Sequence, residues 1–229
     1  MKMEQKSDQK IIDSWKNNVD PWVDAIRDGE IESRVLITNN AIVDAILKSK
    51  PQTVLDLGCG EGWLVRELEN TGVRSSGVDV VPEFIEVARR LGSGRFECVS
   101  YENIAVELTQ KFNQERFDIV VCNFSLLGKE SVENLFKQVH PLLNDAGLFI
   151  VQTIHPLHCG DGKYEDAWRE GSWTGFSEKF SDPAPWYFRT LETWKALFSN
   201  NDFRLNEIIE PINPNTKKPA SIIFVGEAV

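Results

Sequence analysis

The stretch VLDLGCGEGW at 54–63 constrains this chain more than any other. A short apolar, β-rich run at 53–57 passes without a spacer into alternate glycines at 58, 60 and 62, and then into a helix-like segment. Buried strand, tight turn and helix in that order begin a parallel α/β sheet. Glycine at the turn lets backbone approach a ligand closely. A dinucleotide fingerprint of the form GxGxxG needs its third glycine at position 63, where this chain has Trp63. Asp56 ends the strand and Glu61 opens the helix. Two carboxylates therefore crowd a turn where a pyrophosphate wants N–H donors and no negative charge. Read without a ligand, the same glycines would be only a tight strand-to-helix turn.

A ligand that brings an adenosine, a cationic sulfonium and an α-amino group suits such an acidic turn better than one with phosphate. S-adenosylmethionine is such a ligand. Asp79 closes the next strand in GVDV (77–80), about 20 residues beyond the loop, where a carboxylate accepts from ribose hydroxyls. The alternation then continues: strand-like runs at 96–100, 117–123 and 148–154 are separated by helix-like ones, the last of these begun by a capping Ser131 and ended by the turn Asn144-Asp145-Ala146-Gly147. A helix at 190–199 precedes strands at 203–209 and 221–225, joined by a turn-rich link that reads as a hairpin. The expected fold is α/β: a Rossmann-like, seven-stranded, mostly parallel sheet with helices on both faces and ligands at the carboxyl strand ends. Residues 1–50 read as an N-terminal helical cap, with Asp20-Pro21 starting a helix, and 51–229 as the core, with an insertion at 155–189.

These motifs resemble the class I S-adenosylmethionine-dependent methyltransferases, chiefly the small-molecule group that includes ubiquinone- and menaquinone-pathway enzymes. VLDLGCGEG looks like the family's first motif, GVDV like its second-strand acid, FECVSYENI like its third strand, FDIVVCNFSLL like its fourth and LLNDAGLFIVQTIHP like its fifth. The resemblance implies a methyl transfer to a small-molecule acceptor, with S-adenosylmethionine as cofactor. It places Gly58, Cys59, Gly60 and Gly62 along the methionyl and ribose groups, with Asp56 at the amino end and Asp79 on the ribose. Val80 would flank the adenine, with Ser100 and Tyr101 beside it where the family usually has Asp and a small residue. Asn123, Phe124 and Leu126 fall near the sulfonium, and Arg34 reaches the carboxylate; read alone, Arg34 is an ordinary surface arginine. Trp15 and Trp22, at helical spacing, read as core packing or pocket wall.

The insertion carries Trp168, Trp173, Phe176, Phe180, Trp186, Tyr187 and Phe188. An irregular segment of this length with such an aromatic load is either a lid over the acceptor, with Trp168, Trp186 and Tyr187 as its substrate contacts, or a satellite core. His155, just past the fifth strand, is the candidate general base; its alternative is a loop histidine that hydrogen-bonds locally. His155, His158, Cys159 and Asp161 lie too close in sequence for the usual structural zinc spacing, so no metal is expected. His140, beside Pro141, reads as structural.

The balance of 25 Lys and Arg against 35 Asp and Glu gives a net charge of −10, which points away from a nucleic-acid partner. No apolar run approaches the ~18 residues a membrane helix needs, and the first residues lack an export signal. Four scattered cysteines without a CxxC read as reduced thiols in a cytoplasmic protein. Two other functions fit less of the pattern: a non-catalytic module of the same fold, and a nicotinamide-dependent oxidoreductase, which Trp63 and Asp56 oppose.

Overall fold

Along the central strands of the sheet, from Val54 to Val225, buried side chains alternate between the two faces and so divide the core into two layers. The computed structural model describes residues 8–113, 115–157 and 162–229. In chain order the helices are α1 (Asp8–Asn17), α2 (Val19–Arg27), α3 (Asn39–Leu47), α4 (Trp63–Asn70), α5 (Pro82–Leu91), α6 (Ile104–Lys111), α7 (Glu130–Val139) and α8 (Leu191–Ser199). The strands are β1 (Thr53–Leu57), β2 (Arg74–Asp79), β3 (Arg95–Cys98), β4 (Phe117–Asn123), β5 (Leu143–Thr153), β6 (Ala167–Arg169), β7 (Trp186–Phe188), β8 (Phe203–Ile209) and β9 (Ile222–Ala228).

Seven of these strands form one sheet in the order β3-β2-β1-β4-β5-β9-β8. Neighbours from β3 to β5 run parallel, while β9 is antiparallel to both β5 and β8. The expected seven-stranded, mostly parallel sheet and its closing hairpin are therefore present. On one face Leu55, Leu57, Val120, Phe149 and Phe224 pack against α6, α7 and α8. On the other, Val54, Ile119, Val121, Ile150 and Ile223 meet α3 and α4. Strand order reverses between β1 and β4, which opens a crevice at their carboxyl ends.

Several local readings shift. α7 ends at Val139 because Pro141 cannot continue it, and a 3-10 turn, His140–Leu142, follows. β5 begins at Leu143, five residues before the expected start; a register irregularity opposite Phe117 and Ile119 absorbs the 144–147 segment. α2 starts at Val19, so Asp20 and Pro21 lie within its first turn and do not cap it. Ser131 is inside α7 and not its cap. The insertion contains an antiparallel ribbon, β6 with β7, which sequence periodicity did not announce. A π-helical turn, Arg34–Thr38, runs directly into α3. Among the described residues no helix is long and apolar enough to cross a membrane.

Candidate functional site

The crevice between β1 and β4 opens into a cavity of about 400 Å³, within the usual range for small-molecule sites. Its floor is the β1–α4 loop. Gly58 has φ +76 and lies so close to Ser125 and Tyr101 that a side chain there would collide with both. At Gly60 a Cβ would make an ordinary contact with Trp22 Nε1 at 3.7 Å. Asp79, at the end of β2, anchors the loop: one carboxylate oxygen accepts the Gly60 N–H at 2.9 Å and the other accepts the Val81 N–H at 2.9 Å. Asp79 is 9% exposed, and burial raises its pKa above the ordinary carboxylate value.

The other walls follow from strand ends. Val80 with Val81 and Phe84 covers one side, and Ser100 and Tyr101 after β3 cover the next. Burial raises the Tyr101 phenol well above its normal pKa, and Ser125 hydrogen-bonds it. Asn123 and Phe124, leaving β4, complete that side. Phe124 has φ +55, a turn that points the chain out of the sheet, and its N–H bonds to the Gln152 carbonyl at 2.8 Å. Asn123 Oδ1 is buried without a hydrogen-bond partner.

Arg34 enters from the cap. It is 8% exposed, with its guanidinium 5.0 Å from the Trp63 ring centroid and 5.6 Å from that of Trp22. Its Nε donates to Asn39 Oδ1 at 3.2 Å, while Nη2 is buried with no partner. Burial lowers its pKa to about 10, countered by Glu61 and Asp56, so it stays cationic at neutral pH. An arginine placed in this way on aromatic rings, with one donor unused, fits an anionic group within the cavity. Trp63, the residue that breaks the dinucleotide fingerprint, is thus a cavity wall and the platform for that cation.

Ten expected cofactor contacts line this cavity, and three do not. Asp56 is 2% exposed and does not line the cavity; it shares the pleat parity of Val54, and its Oδ1 is buried without a hydrogen-bond partner. Gly62 serves packing: at φ +83 it begins α4, and a Cβ there would strike the Phe96 ring at 2.8 Å. Leu126 is 2% exposed and belongs to the core. Glu61 also turns away, its carboxylate paired with Arg66 at 2.5 Å. The cavity's acidic character comes instead from Asp8, Asp79, Glu102 and Glu130.

The insertion departs from expectation too. His155 is 4% exposed and does not line the cavity; Nε2 meets Glu210 at 2.7 Å and Nδ1 accepts the Leu157 N–H at 3.1 Å. Both ring nitrogens are engaged there, which argues against the base role. Trp168, Trp186 and Tyr187 form the β6–β7 ribbon, with Trp168 and Tyr187 edge to face at 5.5 Å, and none of them lines the cavity. His158, Cys159 and Asp161 lie outside the described residues, and among the described residues no group of three His, Cys, Asp or Glu could hold a metal. Trp15 and Trp22 take the pocket-wall alternative, and what the sequence reading missed is that Asp8, Ile11 and Ile12 of α1 line the cavity beside Trp15. The apolar spacing of Ile11, Ile12 and Trp15 was visible, but nothing local says which surface that face covers.

Asp56 has a consequence for stability. Its burial, with Asp79 nearby, pushes its pKa up to about 8, while Arg34 pulls the other way. In the unfolded chain the carboxyl titrates near about 3.9. Between those values the native state holds a proton that the unfolded state has released, so Asp56 makes stability fall as pH rises from about 4 to 8. Thermal melts over that window should show a smaller decline for Asp56→Asn than for the wild type. Equal slopes would place the buried proton elsewhere.

Comparison with known proteins supplies family context. Residues 34–208 match the family model described as a methyltransferase domain. A ubiquinone biosynthesis O-methyltransferase of Glaesserella parasuis serovar 5 is 29% identical over 106 residues, which is 44% of this chain and 45% of that protein. The chain thus spans about half the length of the quinone-pathway relatives it matches. Among solved structures, an S-adenosylmethionine-dependent methyltransferase from Mesorhizobium loti aligns with TM-score 0.61 at 19% identity, covering 80% of this chain and 95% of the other. The Burkholderia thailandensis 1,6-didemethyltoxoflavin-N1-methyltransferase, solved with bound 1,6-didemethyltoxoflavin and S-adenosylhomocysteine, aligns at TM-score 0.64 and 17% identity over 100% of this chain and 93% of that one. These structural likenesses establish the fold.

Proposed function

The chain belongs to the class I S-adenosylmethionine-dependent methyltransferase family, and from that premise we propose that it transfers a methyl group from S-adenosylmethionine to a small-molecule acceptor in the cavity beneath α1. The observation that carries the reading is one cavity holding Asp79 at the end of β2 together with the unpaired Arg34 Nη2. Asp79, oriented by the Gly60 and Val81 amides, accepts from the two ribose hydroxyls. Arg34 takes the amino-acid carboxylate. Acidic groups at Asp79, Glu102 and Glu130 favour a cationic ligand over one with a pyrophosphate. The nicotinamide alternative would set a pyrophosphate against that lining, with Trp63 where its third glycine belongs.

S-adenosylmethionine would supply an activated methyl, whose carbon bonds to the acceptor nucleophile in line as the carbon–sulfur bond breaks and its electron pair leaves on S-adenosylhomocysteine. The protein's share is position and shielding. Gly58 and Gly60 allow the loop backbone to lie against the ligand, Tyr101 and Val80 hold the flat base between them, and α1 keeps water out. Neither described histidine lines the cavity, so the proposal routes no proton through one.

Arg34→Met tests the orientation. S-adenosylhomocysteine should bind about 10- to 100-fold more weakly, the loss of a charge-assisted pair. 5′-Methylthioadenosine, which keeps the nucleoside and sulfur without the amino-acid end, should bind equally to both proteins. Equal losses for the two ligands would mean that Arg34 supports the pocket and does not touch the carboxylate.

A further inference from the structure

α1 covers the cavity, and its two ends are held in different ways. At the end leading into α2, the insertion straps it down. The Asn18 amide donates to Ser181 O at 2.7 Å, its Oδ1 accepts the Ser181 N–H at 2.8 Å, and the Ser14 hydroxyl donates to Asp182 O at 2.5 Å. Asn18 is fully buried, and Trp15 packs edge-on to Trp173 at 5.8 Å. At the other end Asp8, itself a lining residue, meets the start of α7. Its Oδ1 accepts the Lys129 N–H at 2.8 Å and its Oδ2 accepts the Ser131 N–H at 2.5 Å.

α7 has no side-chain cap of its own, so a residue 121 positions away performs that role. The receiving loop is itself fixed from the insertion's far end. Arg189, 2% exposed, donates to the carbonyls of Gly128 and Lys129 at 2.8 and 3.0 Å while resting on the Tyr187 and Trp194 rings. Gly128 leaves room for the contact: a Cβ there would meet Ser131 Oγ and, at 2.8 Å, the Asp8 carboxyl carbon. The insertion expected to form a substrate wall is therefore the fixture of the roof, both at the Asn18 strap and under the Asp8 catch.

We propose that α1 is a lid strapped at Asn18 and latched at Asp8, and that the Asp8 carboxylate bridging the Lys129 and Ser131 amides is a positioning contact that sets how fast ligand enters and leaves the cavity. The ligand named here rests on the function proposed above. Two variants release the latch in different ways: Asp8→Ala removes the acceptor, and Gly128→Ala pushes it off without altering it. Stopped-flow tryptophan fluorescence, which Trp15, Trp22 and Trp63 report from the cavity wall, then follows S-adenosylhomocysteine binding.

In both variants the association and dissociation rate constants should rise together by about tenfold, the scale of one cap interaction, while Kd moves much less. A rise in dissociation alone would make Asp8 a ligand contact, and unchanged rates would make it only a helix cap; either overturns the latch. Amide hydrogen exchange in the full-length, ligand-free protein gives a separate reading. Residues 10–17 should exchange about tenfold faster in both variants, while β4 is unchanged. Unaltered exchange in α1 would sink the latch whether or not a ligand binds. Failure of the wild type to bind S-adenosylhomocysteine would instead strike the functional reading, leaving exchange to decide the latch.

Discussion

Asp79→Ala should weaken S-adenosylhomocysteine binding by about a hundredfold or more. Two charge-assisted hydrogen bonds to ribose hydroxyls contribute about 1.5–3 kcal/mol each, and a factor of ten in Kd corresponds to about 1.4 kcal/mol. The carboxylate also holds the Gly60 and Val81 amides, so its removal loosens the loop that the ligand lies on. Asp79→Asn separates the two effects, because an amide oxygen still accepts one hydrogen bond. Calorimetry should rank wild type above Asn and Asn above Ala. Equal affinity for wild type and Ala would remove Asp79 from the ribose and undo the orientation assigned to the ligand.

Gly58→Ala should be as damaging by a different route. The residue sits at φ +76, where an L side chain costs about 1–2 kcal/mol. A Cβ there would also press on Ser125 Cβ and, at 2.5 Å, on Tyr101 Oη. Ser125 is held by the Leu57 carbonyl at 2.6 Å, so it cannot simply step aside. Displacing packed neighbours adds about 1–3 kcal/mol. The sum, about 2–5 kcal/mol, should lower the melting temperature by roughly 5–15 °C for a domain of this size. Tyr101 would move as well, so affinity should fall in the surviving folded fraction. A variant with wild-type Tm and affinity would show that the loop takes up a side chain without strain.

The floor of the cavity was legible because its parts are contiguous in the chain. Strand, glycine turn and helix occupy 53–70, and Asp79 follows at the end of the next strand, so local pattern alone brings Gly58, Gly60 and Asp79 to one strand edge. Asp56 and Gly62 belong to the same motif yet do not line the cavity: Asp56 is buried within β1, and Gly62 packs against Phe96. Motif membership gave their location along the chain but not the direction of the side chain. The roof and the insertion were not legible for a physical reason: their partners are remote. Asp8 meets backbone amides 121 and 123 residues away, and Asn18 meets Ser181 across 163. Hydrogen bonds to backbone leave no trace in side-chain composition. Of the insertion's aromatic load only Phe180 and Phe188 are buried, Trp186 and Tyr187 are half-buried in their own ribbon, and His155 found its partner at Glu210, beyond α8 in sequence.

The central claim is that the cavity takes an S-adenosyl ligand and not a dinucleotide. Isothermal titration of the wild-type protein with S-adenosylmethionine, S-adenosylhomocysteine and NADH tests it most directly. The account predicts that the two sulfur nucleosides saturate one site in the micromolar range while NADH gives no heat of binding. Saturable binding of NADH, with neither S-adenosyl compound bound, would contradict it.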